Sequence, residues 1–223
     1  MRIHLKAWAA LALIVAGLLC PAHAAQLELG LGITQATPVG NGGWYQLGLP
    51  HHLDLRSSTW SVGLVHDLAP QWRGRVQYVN LGMYRSDAMA ADRDEDYSPA
   101  AHACLPGCNV ARYIGNGSAN GIVIAAERLF DFGAWRLGIE AGPYLYRPIW
   151  RVTVEGWKAA KDQPGQTIQH NNPEHLKIGA VVGFSVGQGA WSLSLRHYWN
   201  KCTPSTYACL WREVDTLSVL YRF

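Results

Sequence analysis

Leu27-Glu28-Leu29-Gly30-Leu31-Gly32-Ile33-Thr34 places an apolar side chain at every second position and a small or polar one between. Side chains of an extended strand point to opposite faces in turn, so this is a strand with one apolar and one polar face. The pattern recurs at Trp60-Ser61-Val62-Gly63-Leu64, Trp135–Gly142, Lys177–Ser185, Trp191–Arg196 and Thr216–Phe223. No segment carries a comparable helical stripe. Eight strands are predicted, at 26–36, 57–68, 72–84, 118–130, 134–150, 175–186, 190–200 and 211–223.

The connections are as informative as the strands. Leu68-Ala69-Pro70-Gln71, Asp131-Phe132-Gly133 and Gly187-Gln188-Gly189 read as tight turns. Long segments near 37–56, 85–117, 151–174 and 201–210 separate them. Short and long connections alternate strictly. In an up-and-down sheet, that puts every short turn at one end and every long loop at the other. Bacterial outer-membrane barrels have this asymmetry, with short periplasmic turns and long external loops.

The 223 residues carry a formal charge of +3, from 19 basic and 16 acidic side chains. Charged residues make up 16% of the chain, against roughly 25% in ordinary soluble proteins. Ten Trp and ten Tyr accompany this low charge. Disordered, collagenous and coiled-coil classes are excluded. So small a positive excess gives no reason to expect nucleic acid as a partner.

Residues 1–24 read as a secretory signal peptide, followed by a barrel domain over 25–223. Arg2, His4 and Lys6 precede the apolar run Ala7–Leu19, and Ala22-His23-Ala24 forms a small-x-small cleavage site. The run has 13 residues, short of the ~20 needed to span a bilayer as a helix. Cys20 raises a lipoprotein reading, but Leu19 stands where a small residue belongs. No later stretch is long and apolar enough for a spanning helix.

Trp72, Trp135 and Trp191 each follow a short turn, and Phe223 ends the last strand at the same level. Amphipathic rings are most stable at the membrane–water boundary, so these four predict a periplasmic girdle. Trp60, Trp150, Trp199 and Trp211 are assigned to an outer one. A soluble barrel with core Trp is the alternative, yet the polar face is mostly Gly, Ser and Thr and suits a narrow lumen. Glu28, Glu140, Arg73, Arg75, Arg136, Lys177 and Arg196 are placed there as ion pairs. Eight strands leave no aqueous pore. Phe223 with Tyr221, Val219 and Leu217 resembles the terminal-strand signal read by the barrel-insertion machinery, an expected partner.

Four Cys follow the leader, all in long loops and so in an oxidising place. Three pairings are possible; local closure favours Cys104–Cys108 and Cys202–Cys209. Asp92, Asp94, Glu95 and Asp96 form an acidic run that lacks the glycine of an EF-hand loop. His51-His52 with Asp54 has no third ligand nearby in sequence. No metal or cofactor is expected.

Arg196-His197-Tyr198-Trp199-Asn200 and the acidic pair Glu213 and Asp215 form the remaining constellation. Counting phase from Trp191 and back from Phe223 puts His197, Trp199, Glu213 and Asp215 on the lipid side. The segment from Lys177 onward resembles the C-terminal hairpin of the lipid A 3-O-deacylase family, eight-stranded outer-membrane barrels with a Ser hydrolase site on the outer wall. The resemblance implies His197 as general base, Asn200 on the oxyanion side and Asp215 as the acid that orients the His. Trp199 occupies the nucleophile's place, and a base without a hydroxyl has nothing to deprotonate. Thr203 and Ser205 follow, but at a different spacing.

The expectation is therefore a bacterial outer-membrane surface barrel, non-enzymatic, whose disulfide-tied loops meet an extracellular ligand. Its lipid partners would be outer-membrane lipid and lipopolysaccharide. A lipid A esterase is the alternative. N-terminal sequencing of the exported protein is expected to read Ala25-Gln26-Leu27; a start at Cys20 would instead establish the lipoprotein.

Overall fold

The computed structural model describes residues 25–38, 46–158, 163–173, 175–200 and 211–223. The expected leader lies outside them. Among the described residues twelve strands run in chain order: β1 (Gln26–Pro38), β2 (His51–Asp54), β3 (Arg56–Ala69), β4 (Trp72–Ala91), β5 (Tyr97–Ser98), β6 (Ala103–Cys104), β7 (Val110–Phe132), β8 (Trp135–Trp157), β9 (Gln166–Pro173), β10 (Lys177–Gln188), β11 (Trp191–Trp199) and β12 (Trp211–Arg222). Eight of them close a ring in the order β1-β3-β4-β7-β8-β10-β11-β12, every pairing antiparallel. β1 meets β12 to complete it, with Leu29 opposite Tyr221 and Ile33 opposite Leu217.

Three two-residue turns join β3–β4, β7–β8 and β10–β11. Each contains one left-handed residue: Gln71 (φ 66°), Gly133 (φ 63°) and Gly189 (φ 60°). At the first turn position, as in Gly133 and Gly189, that hand matches the twist of the flanking strands, whereas Gln71 follows Pro70 and the ladder there is adjusted by a bulge between Asp67 and Ala69. At the other end the strands are longer than the alternation predicts. β4 continues to Ala91, β7 starts at Val110 and β8 continues to Trp157. There the outward positions turn polar, as at Arg85, Asp87 and Arg112, so the apolar–polar contrast vanishes although the ladder goes on. β2 and β9, within segments read as loops, add to the outer edges of β4 and β8.

The surface is inverted relative to a soluble barrel. Leu31 is 71% exposed and Ile33 64%, while Glu28 between the same strand's leucines is fully buried. Leu195, Phe184, Ile139 and Leu64 continue the exposed apolar belt round the ring. Such a belt is unstable in water and stable in hydrocarbon. The molecule is an antiparallel, up-and-down, eight-stranded outer-membrane β-barrel.

Charge fills the periplasmic half of the lumen. Arg75 donates from Nε to Glu28 (2.9 Å), reaches Glu127 at 3.5 Å and bonds Glu140. Arg73 joins Glu127 (3.3 Å) to Asp67 (3.1 Å). Arg196 bonds Glu140 and donates to Gln77 Oε1 (2.6 Å). Arg222 donates to Glu28 (3.0 Å), and the Ser185 hydroxyl to Glu127 (2.6 Å). All eight ring strands contribute a side chain. Glu127 was missing from the expected set, and two members of that set lie elsewhere. Arg136 is half exposed at the rim, on Asp131 (2.8 Å). Lys177 stands at the external start of β10, opposite Tyr146.

Aromatic rings fill the outer half. Tyr144 stacks on Tyr146 (4.9 Å) and meets Tyr198 edge-on (5.1 Å), and Tyr84 meets Trp211 (4.8 Å). Leu81, Val181 and Val214 pack among them. Two Trp assigned to the outer girdle, Trp150 and Trp211, are in fact buried here. Trp150 shares the phase of Glu140, so simple alternation sends it inward. Trp211 is turned in by a bulge: Thr37 faces Glu213, but Pro38 faces Trp211, so Arg212 is skipped. A second bulge, between Asn80 and Met83, turns Tyr84 inward. Gly82 at its centre has φ +86°, and a Cβ there would lie 2.4 Å from the Ser58 carbonyl oxygen.

Removing one member of a buried ion network leaves its partners charged and unpaired, at a cost of roughly 3–5 kcal/mol. Arg75→Met should therefore lower the urea midpoint of the barrel refolded in lipid vesicles by that equivalent. An unchanged midpoint would show the lattice to be dispensable.

Candidate functional site

The outer wall carries a polar row at the external edge of the apolar belt. Register sets it: His197 of β11 lies opposite Asp215 of β12, Asp215 opposite Gln35 of β1, and Gln35 opposite Arg56 of β3. One step toward the periplasm the outward residues are Leu195, Leu217, Ile33 and Ser58. The row ends at β10, where Val182 faces His197.

Within the row, His197 Nδ1 and Asp215 Oδ1 are 2.6 Å apart. Arg56 donates to Gln35 Oε1 (2.8 Å), and the Gln35 amide donates to its own strand at the Ala36 carbonyl (3.2 Å). A carboxylate on Nδ1 fixes the imidazole tautomer and leaves Nε2 as the acceptor, the arrangement of a base and its orienter. The Trp199 ring lies edge-on to the imidazole at 4.4 Å. Among the described residues, the hydrogen-bond partner of His197 is Asp215. Thr203 and Ser205 lie outside the described residues. Asn200 follows the end of β11; its backbone N–H donates to the Arg212 carbonyl (2.7 Å), and its amide bonds neither His197 nor Asp215. The structure thus brings together two of the three expected site residues. An open groove beside them, lined by Ile33, Gln35, Arg56, Leu195, Asp215 and Leu217, runs down the lipid-facing wall.

Above the belt, Asp87 accepts two bonds from Arg112 (2.9 and 2.7 Å) and faces Arg85 (3.3 Å); Arg112 also meets Glu155 (3.5 Å). This ladder ties β4, β7 and β8 together on their outer face. Asp92, from the acidic run, is a structural clamp: it accepts from the Asn109 amide and from the Lys158 backbone N–H (3.0 Å). Sequence reasoning missed that role, because its partners lie 17 and 66 residues away. Cys104 and Cys108 form a disulfide next to the β5–β6 hairpin. Cys202 and Cys209 lie outside the described residues. His51 and His52 stand on β2 opposite Ala88 and Asp87. Burial, reinforced by His52, holds the His51 imidazole below its ordinary pKa. Among the described residues, no three His, Cys, Asp or Glu side chains gather to hold a metal.

At the opposite end Trp72, Trp135, Trp191 and Phe223 are all exposed, as are Phe130 and Phe132. Arg128 lies over the Trp72 ring at 5.3 Å, and Tyr221 links Trp191 (4.6 Å) to Phe223 (4.7 Å).

No family model matches the sequence, and no curated protein matches it. Among solved structures, the chain is similar to Ail, the attachment invasion locus protein of Yersinia pestis, at 9% identity over 89% of this chain and 97% of that one, with a TM-score of 0.46. The complex of Ail with the heparin analogue sucrose octasulfate gives 9% identity, 90% and 100% coverage and a TM-score of 0.46. The backbone structure of Ail in a phospholipid bilayer nanodisc gives 11% identity, 90% and 100% coverage and a TM-score of 0.33. The membrane fold of this chain rests on its own inverted surface.

Proposed function

We propose that the protein is a non-enzymatic surface barrel of the bacterial outer membrane, exported after loss of residues 1–24, whose external wall and disulfide-tied hairpin meet an extracellular ligand. One observation carries the choice against catalysis. The base–orienter pair His197–Asp215 has an indole, Trp199, where acyl transfer needs a hydroxyl. A Ser at that place would give His197 a proton to take; an indole gives it a wall. Transport is disfavoured by the lumen, which ion pairs and aromatic rings block between its two mouths.

The lipid environment follows from the same geometry. Trp72, Trp135, Trp191 and Phe223 anchor the periplasmic boundary, and Trp60 with Trp199 the external one. The row His197–Asp215–Gln35–Arg56 meets the headgroup level, where the phosphates of lipopolysaccharide sit, with Arg56 as the group suited to them. Above it the wall of β2, β4, β7, β8 and β9 stands in water on its Arg–Asp ladder. It presents a rigid scaffold on which the Cys104–Cys108 hairpin is held by the Tyr97 hydroxyl, which donates to the Leu47 carbonyl (2.6 Å).

Mass spectrometry of lipid A from expressing cells tests this reading. The natural sequence should leave every acyl chain in place, and His197→Ala should change nothing. Loss of one hydroxyacyl chain, abolished by His197→Ala, would establish the esterase and make Thr203 and Ser205 the first candidates for its nucleophile.

A further inference from the structure

The inner face of β11 presents three polar groups without a hydrogen-bond partner among the described residues. Ser192 Oγ, Ser194 Oγ and Arg196 Nη2 are each buried and succeed one another at every second position. The carboxylates beside them are already engaged by other donors. Glu28 is taken by Arg75, Arg222 and Gln77, Glu127 by Arg73, Arg75 and Ser185, and Glu140 by Arg75 and Arg196.

Ser192 lines a cavity of about 160 Å³ at the periplasmic mouth, between the β7–β8 and β10–β11 turns. Arg73, Arg136 and Arg222 line it too, with Asp131 as the carboxylate of the lining; Arg136 is held by Asp131, Arg73 by Glu127 and Asp67, and Arg222 by Glu28. On its β10–β11 side Gly187 and Gly189 add no side chain, and Ser185, Trp191 and Ser192 complete the lining. The space equals about five water volumes at ~30 Å³ each, enough for one small oxoanion with residual water. A buried hydroxyl and several guanidiniums converging on one space make the chemistry of an anion site, and Arg in particular matches the oxygens of phosphate.

We propose that this mouth is a binding site for a small oxoanion of the phosphate class, entering from the periplasm, with Ser192 and Arg222 as its principal donors and Arg73 behind them. The aromatic plug of Tyr144, Tyr198 and Trp211 closes the other route. The bound anion gives the Ser192 hydroxyl an acceptor, and a ligand that binds only the folded barrel stabilises it. The proposal is independent of what the external face binds.

Inorganic phosphate is the probe. The mature barrel, refolded in zwitterionic micelles without phosphate, is titrated calorimetrically and its urea midpoint followed, with sodium chloride at matched ionic strength as the control. Saturable binding and a midpoint that rises with phosphate but not with chloride are expected. Arg222→Gln should weaken binding at least tenfold. Ser192→Ala, which removes one hydroxyl and leaves the ion lattice intact, should weaken it several-fold and keeps the test decisive if the arginine variant does not refold. Equal effects of phosphate and chloride, or unchanged binding in Ser192→Ala, would overturn the site.

Discussion

The structure depends on one constraint: three carboxylates and four guanidiniums share one narrow lumen, with Glu28, Glu127, Glu140 and Arg75 fully buried. Buried charges survive only when paired and hydrogen-bonded. Arg75 touches Glu28, Glu127 and Glu140, carboxylates from three other strands, and so fixes which face of β1, β4, β7 and β8 points inward. Once that phase is set, the alternate residues must point out, and they include Leu29, Leu31, Ile33 and Ile139. A one-residue slip of β1 would put a leucine among arginines and Glu28 in lipid. Register, inverted surface and membrane residence are consequences of the same pairing.

Much of this is legible in the sequence because the period of two is strict within the belt. The strand count, the turn end and the outward phase of His197 and Asp215 follow from counting alone. The failures are physical. Trp150 obeys the phase of Glu140, and assigning it to a girdle ignores that phase. Trp211 and Tyr84 break phase through bulges, at Arg212 and Gly82, which alternation cannot foresee. The extensions of β4, β7 and β8 are hidden because a strand in water needs no apolar face. The sequence places polar residues in the lumen's outer half only by default; the structure fills it with tyrosines.

The candidate site shows a similar division. Cross-strand proximity of His197 and Asp215 is readable from phase, since both face outward on neighbouring strands near the same end. Asn200 is different: a motif match gives it a role by spacing, yet its amide bonds neither partner. Asp92 and Ser192 had no signal at all. One is a clamp made by groups distant in sequence, the other a buried hydroxyl beside a cavity that only the closed ring creates. The candidate sites on this barrel therefore lie at its two ends, where the alternation is least informative.

The central claim is that the alternating apolar face meets lipid while the polar face is sealed inside. Spin labels placed singly at 192, 193, 194 and 195 of the barrel in lipid vesicles test it most directly. Labels at Leu193 and Leu195 should collide freely with oxygen and hardly with a water-soluble nickel chelate, and labels at Ser192 and Ser194 should meet little of either. Ready access of the nickel chelate to 193 and 195 would place that face in water and contradict the account.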